Sequence, residues 1–243
     1  RLSPRQPAPQ PKAVPASLFD DVEPTSEAAV PDASARSESP VAVHLPACRV
    51  LMEPAGIATW LERALEAEAV GISLEAPGEE AMTARPRGVA VAVADDAVYI
   101  PMPDFDSDRA AIMHLLQPLM SSNVTLVSHD VKRDMLLLRR EGVMWTAPYF
   151  DTSVAHYLLS PEMKHDLPTV ALAFLAHKTV DYELTATERK KLRVLPVDEA
   201  AVAAGERASL ALVLRPLLVD SLEKEELLQL YTEVEGPFVQ VLA

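Results

Sequence analysis

The feature that most constrains the fold is the segment 89–101, with the sequence VAVAVADDAVYIP. Two runs rich in β-branched residues flank the polar pair Asp95-Asp96, which is the pattern of a β-hairpin. The runs 69–75 and 124–127 are short and apolar enough to be buried strands beside it. The sequence therefore predicts a β-sheet that contains this hairpin.

Segments with helical periodicity lie between and after the predicted strands. Gly142 follows one of them as a residue that ends a helix, and Pro216 is expected to break or kink another. Helices are predicted over residues 54–65, 109–120, 131–140, 152–159, 168–177, 185–191, 197–214 and from 221 onwards. With a first strand within residues 41–52, this order predicts an α/β domain with a mixed β-sheet flanked by helices and a helical C-terminal part.

The first 43 residues have a different composition from the rest. They contain eight prolines among Ala, Ser, Glu and Asp, and proline cannot donate a backbone hydrogen bond. Such a segment buries too little apolar surface to offset the entropy of ordering it. We expect residues 1–43 to be a disordered linker or tail, and residues 44–243 to form one domain.

The chain is strongly acidic, which limits the partners that it can bind. The first 43 residues contribute −2 of the formal net charge of −14, so that −12 remains on residues 44–243. A domain that grips duplex DNA over a broad face is usually basic there. The single cysteine, Cys48, excludes an intramolecular disulfide. Since no apolar run is long enough to cross a bilayer, we expect a soluble domain that does not bind a membrane.

Short motifs outside any candidate site occur in an order that resembles a known family. They are Tyr-Ile-Pro at 99–101, Phe-Asp-Thr at 150–152, Tyr-Leu-Leu at 157–159, His-Asp-Leu at 165–167, His-Lys-Thr at 177–179 and a helical segment at 233–241. The set resembles the 3′–5′ exonuclease (proofreading) domain of bacterial family A DNA polymerases, which has a ribonuclease-H-like fold and belongs to the DEDD exonucleases. The resemblance implies that a polymerase domain follows in the same chain.

The resemblance also implies what an active site would contain. In the family, an Asp and a Glu two residues apart, a helical Asp, and a Tyr followed four residues later by an Asp hold two divalent metals. Two such ions about 3.5–4 Å apart clamp the attacking and leaving oxygens. They repel each other, and hard cations require oxygen ligands, so several carboxylates must surround them.

At these positions the chain departs from the family. Ser73 stands where the family has its first Asp, and Glu75 keeps the Glu. Ala203 stands at the Tyr and Arg207 at the last Asp. Asp134 keeps the helical Asp, and two of the four carboxylates therefore remain.

A vestigial site with no functional catalytic residue is the expectation that follows, made of Ser73, Glu75, Asp130, Asp134, Ala203 and Arg207. We expect the Arg207 guanidinium to pair with Glu75 and Asp134 and to replace the charge of the metals. No cofactor is then required. If any metal binds, Glu75 and Asp134 are the expected ligands.

The leading functional hypothesis is a catalytically inactive exonuclease-like domain that supports the polymerase domain of a DNA polymerase I in DNA replication and repair. One alternative is a weakly active 3′–5′ exonuclease that uses Glu75, Asp134 and Asp130 with Mg²⁺ or Mn²⁺. A second alternative is a protein-interaction module. The parent chain is expected to be a DNA-directed DNA polymerase of the bacterial cytoplasm, associated with the nucleoid.

Basic residues give a weaker signal for DNA contact. Phosphate contacts in nucleic-acid complexes come largely from lysine and arginine. The candidate nucleic-acid-binding residues are Lys132, Arg133, Lys190 and Lys191. We expect any contact of this domain with DNA to be indirect or weak.

Overall fold

The structure is a computed structural model that describes residues 43–76, 84–180 and 196–243. Apart from Val43, the predicted tail lies outside the described residues, as does the predicted helix at 185–191. The assignment of residues 1–43 as a linker therefore stays a prediction. The described residues belong to one unit, Pro40–Ala243.

Six strands form one mixed sheet in the order β1-β4-β3-β2-β5-β6. Strands β2, β3 and β4 are antiparallel neighbours, whereas β1 pairs with β4, and β5 with both β2 and β6, in parallel. Their bounds are Cys48–Val50, Ala69–Glu75, Gly88–Val93, Asp96–Pro101, Thr125–Ser128 and Tyr149–Asp151. The predicted mixed sheet is confirmed, with the predicted hairpin at its centre.

Helices surround this sheet. In the described residues they are α1 (Pro54–Ala64), α2 (Asp106–Met120), α3 (Val131–Arg140), α4 (Thr152–Leu159), α5 (Leu167–Leu175), α6 (Val197–Lys224), the short α7 (Leu228–Leu230), a π-helical turn (Tyr231–Glu235) and α8 (Gly236–Leu242). The largest buried cluster joins α1, α2 and α3 to the sheet, and a second cluster joins α4, α5 and α6. The predicted helical C-terminal part is confirmed.

The β3–β4 hairpin is held by a polar cluster at its turn. Asp96 accepts hydrogen bonds from Arg49 Nη2 at 2.7 Å, from Arg63 Nη1 at 2.9 Å and from the Trp60 indole at 2.9 Å. The Arg49 hydrogen bond is the largest influence that lowers the pKa of Asp96. Arg63 Nη2 also donates to Asp95 Oδ1 at 2.6 Å. These contacts hold β1 and α1 against the hairpin turn, so Asp95 and Asp96 both have structural partners.

Helix α6 lies directly on the sheet because the residues between them are small. A Cβ atom on Gly71 of β2 would lie 2.1 Å from the Ala208 carbonyl oxygen of α6. A Cβ atom on Gly205 would lie 2.2 Å from Cys48 Cβ on β1. Ala204 and Ala208 are fully buried in the same contact. The close approach brings the α6 side chains next to those of β2.

We expect Gly71→Ala to destabilise the domain by about 2–3 kcal/mol, because the new methyl group would overlap a backbone atom that cannot move aside. Urea unfolding followed by far-UV circular dichroism measures the change. Gly56→Ala is the matched control, since Gly56 lies in α1 and a Cβ atom added there would have no neighbour within 4 Å. The control should be neutral or stabilising by about 0.5–1 kcal/mol. Equal stabilities of the two variants would show that the approach of α6 to β2 is looser than described.

Several predicted element boundaries differ from those of the structure. Helix α6 runs through Pro216 without a break, because Leu214 and Leu218 on either side are fully buried and hold both halves in place. Strand β1 covers only three residues of the predicted run 41–52, and it begins after Pro46, where the sequence predicts an interruption. Helix α5 ends at Leu175 because Ala176 has a left-handed backbone conformation, with φ of 50°.

A buried ion pair positions the segment that precedes β3. The Arg109 guanidinium binds Glu141 through Nε at 2.7 Å and Nη2 at 3.0 Å, and Nη2 also donates to the Pro86 carbonyl. The next residue, Arg87, donates its N–H to the Glu75 carbonyl at 2.7 Å. The Arg109–Glu141 pair therefore places Arg87 beside the end of β2, where the candidate site lies.

Candidate functional site

Strand β2 and helix α6 bring two of the predicted site residues together. Ser73 shares a strand face with Gly71, which contacts α6, and Arg207 lies one residue before Ala208 on that helix. Arg207 Nε lies 3.3 Å from Ser73 Oγ. Ala203 is half-buried one turn earlier on α6. A guanidinium and a neutral hydroxyl thus meet at two positions for which the resemblance implies carboxylates.

Glu75 is held by residues of the hairpin. The Tyr99 hydroxyl donates to Glu75 Oε2 at 2.5 Å, and Arg87 Nη1 lies 3.7 Å from Oε1. The pKa of Tyr99 is raised, first by burial and then by this hydrogen bond. Both carboxylate oxygens of Glu75 therefore have protein partners.

Tyr99 reaches Glu75 across an intervening strand. Glu75 is opposite Gly88 on β3, and a Cβ atom at Gly88 would lie 2.0 Å from the Tyr99 hydroxyl. The tyrosine thus occupies the space that the glycine leaves open. The sequence prediction did not include Tyr99 as a site residue. The available signal was Gly88 at the start of β3, because a glycine in a strand marks a place where another group approaches the backbone closely.

Asp134 is buried in the first turn of α3. It accepts a hydrogen bond from Ser128 Oγ at 2.6 Å, and Arg133 Nη1 lies 3.6 Å from its other oxygen. Burial raises the pKa of Asp134 to about 7, although Arg133 and Ser128 oppose the shift. The Ser128 hydroxyl and the Arg133 guanidinium thus approach both oxygens of this carboxyl group.

Asp130 and Arg133, at the start of α3, make contacts within the protein. Asp130 is the exposed N-cap residue, and its carboxylate accepts the Arg133 N–H at 3.0 Å. The Arg133 guanidinium donates to the carbonyl oxygens of Leu74 at 3.1 Å and Ala76 at 3.3 Å. Arg133 therefore ties α3 to the end of β2. Lys132 is exposed, whereas Lys190 and Lys191 lie outside the described residues.

Three guanidinium groups thus surround the last residues of β2. Arg207 contacts Ser73, Arg87 contacts Glu75, and Arg133 contacts the carbonyl groups on either side of Glu75. Within residues 43–76, 84–180 and 196–243, no group of three His, Cys, Asp or Glu side chains has the geometry of a metal site. The donors around β2 do not fit the paired divalent ions of an active exonuclease.

We expect Asp134→Asn to stabilise the domain at pH 8 by about 1–3 kcal/mol. The folded state raises the pKa of Asp134 from 3.8 to about 7, so it holds this proton more tightly than the unfolded chain does. The contribution of Asp134 to the free energy of unfolding is therefore fully present below about pH 4, and it is lost as the pH rises through 7. The neutral amide avoids that loss and can still accept the Ser128 hydrogen bond.

Urea unfolding of wild type and Asp134→Asn between pH 5 and pH 8 measures this effect. The difference between the two proteins should grow as the pH rises. Ser128→Ala removes the hydroxyl that opposes the pKa shift of Asp134, so its destabilisation relative to wild type should also grow as the pH rises. A difference that stays constant with pH would contradict the raised pKa.

Glu206, which is next to Arg207 on α6, has partners in the segment after α5. Glu206 accepts hydrogen bonds from the Val180 N–H at 2.8 Å and binds His177 Nε2 at 2.9 Å. It holds the segment after α5 against α6. The His-Lys-Thr motif is thus anchored through Glu206, which directs this carboxylate away from Ser73.

Asp151 is a buried carboxylate with a purely structural role. It caps α4 by accepting the N–H groups of Ser153 at 2.9 Å and Val154 at 3.2 Å, and it accepts the Val131 N–H of α3 at 2.8 Å. One side chain therefore caps two helices. Burial raises its pKa to about 7, while the three N–H donors oppose that shift.

Comparison with known proteins agrees with this fold. Residues 48–204 match a family described as 3′–5′ exonuclease. DNA polymerase I of Pseudomonas aeruginosa is 30% identical over 210 residues, which are 80% of this chain and 23% of that protein. DNA polymerase I of Borreliella burgdorferi is 25% identical over 186 residues, which are 75% of this chain and 20% of that protein. The chain thus spans about a fifth to a quarter of the length of these relatives.

Solved structures share the fold at lower identity. The "POL domain of Pol1" from M. smegmatis, in complex with DNA primer-template and dNTP, has a TM-score of 0.61 at 22% identity, over 79% of this chain and 30% of that one. Brucella melitensis NrnC with bound Mg²⁺ has a TM-score of 0.61 at 17% identity, over 82% of this chain and 92% of that one. The ribonuclease-H-like α/β fold is therefore confirmed, and the chain belongs to the 3′–5′ exonuclease domain family of bacterial DNA polymerase I.

Proposed function

We propose that this domain is a catalytically inactive 3′–5′ exonuclease domain that supports a polymerase domain. The observation that carries the proposal is the Arg207 guanidinium, whose Nε lies 3.3 Å from Ser73 Oγ. The resemblance implies that an active member of the family holds cations at these positions, so a fixed positive charge there supports the proposal. An arginine side chain stays charged at any ordinary pH, so it repels a metal ion there.

The remaining acidic side chains support the same proposal. Two-metal hydrolysis requires several carboxylates that are free to bind the ions. Glu75 accepts a hydrogen bond from Tyr99 and faces Arg87. Asp134 is buried and accepts a hydrogen bond from Ser128 Oγ at 2.6 Å. Both carboxylates therefore already have protein partners, and they are two of the four that the resemblance implies for an active site.

The supporting role rests on the relatives. They are DNA polymerases I in which the matched region is about a fifth to a quarter of the chain. In the proposed whole protein the polymerase domain binds the DNA, and this acidic domain contacts DNA indirectly or weakly. The proposed location is the bacterial cytoplasm at the nucleoid. No helix in the described part of the chain is long and apolar enough to cross a membrane.

An exonuclease assay tests this proposal. A single-stranded oligonucleotide labelled at its 3′ end is incubated with the chain and Mg²⁺ or Mn²⁺. We expect no release of the 3′ nucleotide above the level of the Asp134→Ala variant. The competing hypothesis, a weak nuclease that uses Glu75, Asp134 and Asp130, requires metal-dependent release that Asp134→Ala abolishes. That second result would overturn the proposal.

A further inference from the structure

The outward side of helix α3 is basic. Lys132, Arg139 and Arg140 are exposed there, whereas most of the apolar residues of this helix are buried. At about 100° per residue, the three basic side chains lie within about a third of the helix circumference. They form one surface, the α3 basic face, with a formal charge of +3.

The acidic side chains of α3 and its ends have partners within the protein. Asp134 is buried, and the Glu141 side chain binds the Arg109 guanidinium at 2.7 Å. Asp130 caps the start of the helix, where its carboxylate accepts the Arg133 N–H at 3.0 Å. The outward side of the helix therefore presents cations to the solvent.

Two neighbouring segments leave this charge unopposed. Residues 142–150, which follow α3, contain no charged side chain, and residues 236–243 contain none either. The second segment lies against α3, where Arg139 Nη1 donates to the Ala243 carbonyl at 3.2 Å. The α3 basic face is thus a local positive patch on a domain whose formal charge is −12.

The spacing of the patch fits a regular polyanion. Lys132 and Arg140 are eight residues apart, which is about 12 Å along the helix axis. Each strand of duplex DNA carries a phosphate about every 3.4 Å of its axis, so the face spans about three phosphates. Single strands are typically bound by stacking their bases on aromatic side chains, and α3 contains no aromatic residue. The face therefore favours duplex DNA.

We propose that the α3 basic face binds the sugar–phosphate backbone of duplex DNA through Lys132, Arg139 and Arg140. Such contacts carry no sequence preference, and three of them make a weak site that salt readily disrupts. The regular phosphate repeat favours DNA over an acidic protein surface, whose charges have no fixed spacing. The proposal goes beyond the proposed function, because this face would bind DNA whether or not the vestigial site cleaves it.

Amide NMR spectra of the 243-residue chain, titrated with a duplex of about 12 base pairs, test the proposal. We expect the amide shifts that change to be those of residues 132–140 and of the residues next to them. The affinity for the duplex should fall about 40-fold between 50 mM and 200 mM salt, which is the dependence expected for three phosphate contacts. A single strand of the same length should bind more weakly.

Variants of the three residues separate charge from folding. Lys132→Gln/Arg139→Gln/Arg140→Gln should weaken duplex binding at 50 mM salt by at least about tenfold. Lys132→Arg/Arg139→Lys/Arg140→Lys keeps every charge and should bind within about twofold of wild type. Lys132→Gln alone should reduce the salt slope by about 1. Lys224→Gln is the matched control, because its side chain is 66% exposed on α6, and it should leave the slope unchanged.

Several results would overturn the α3 basic face as a DNA contact. They are the absence of duplex binding, shift changes centred on other elements, tighter binding of the single strand, and unchanged binding by the triple glutamine variant. Concentration-dependent shifts of α3 without DNA would identify an acidic surface of a second copy as the occupant, and would also overturn the proposal. Nuclease activity would contradict the proposed function and leave these results unchanged, so the two failures are distinguishable.

Discussion

Asp151→Ala is expected to destabilise the domain by about 3–4 kcal/mol, the largest loss of stability that we predict for a single substitution. The carboxylate accepts three backbone N–H groups, those of Val131, Ser153 and Val154, at the starts of two helices. Loss of one N-cap side chain costs about 0.5–2 kcal/mol. Here two helices lose their cap at a site that is 2% exposed, where water cannot easily replace it.

Urea unfolding measures this loss, and Asp151→Asn is the matched control. The amide keeps one acceptor oxygen, so its destabilisation should be clearly smaller than that of the alanine variant. Asp166→Ala provides a second comparison, because Asp166 is an exposed N-cap residue that accepts the Thr169 N–H at the start of a single helix. Equal effects of Asp151→Ala and Asp166→Ala would contradict the double cap.

Ser73→Asp/Ala203→Tyr/Arg207→Asp is expected to create a metal-dependent 3′–5′ exonuclease. The triple variant removes the guanidinium beside Ser73 and introduces the side chains that the resemblance implies for an active site at these three positions. Bound metal lowers the pKa of water and stabilises the leaving oxygen. We expect Mn²⁺-dependent release of a 3′ nucleotide at least about 100-fold above that of wild type.

Activity alone would not identify the site, so binding is measured as well. Manganese binding by electron paramagnetic resonance should be saturable in the triple variant. Adding Asp134→Asn to it should weaken both binding and cleavage. Arg207→Ala alone removes the positive charge without restoring carboxylates, and it should remain inactive. Cleavage by Arg207→Ala would show that the two remaining carboxylates already suffice.

Most of the fold followed from the sequence because its signals are local. The segment 89–101 carries both strands and the turn of a hairpin, and it forms that hairpin. The break predicted at Pro216 was wrong, because the packing of Leu214 and Leu218 outweighs the single hydrogen bond that proline removes. Local rules fail where burial on both sides of a residue fixes the backbone.

The site was less predictable because its contacts cross several elements. The position of Arg207 beside Ser73 could be inferred from the family pattern. The bond from Tyr99 to Glu75 depends on the register of three strands and on the space above Gly88. The DNA contacts predicted for Lys132 and Arg133 stay a prediction, and the sequence did not show that the Arg133 guanidinium also binds protein carbonyl groups. Whether Arg207 also pairs with Glu75 and Asp134 stays a prediction.

A crystal structure of the chain soaked in Mn²⁺ tests the central claim most directly. Anomalous scattering locates the manganese ions independently of any activity. We predict no anomalous peak between Glu75 and Asp134, with the Arg207 guanidinium beside Ser73. A manganese ion bound to both carboxylates, with Arg207 displaced from Ser73, would contradict the claim that a guanidinium has replaced the metals.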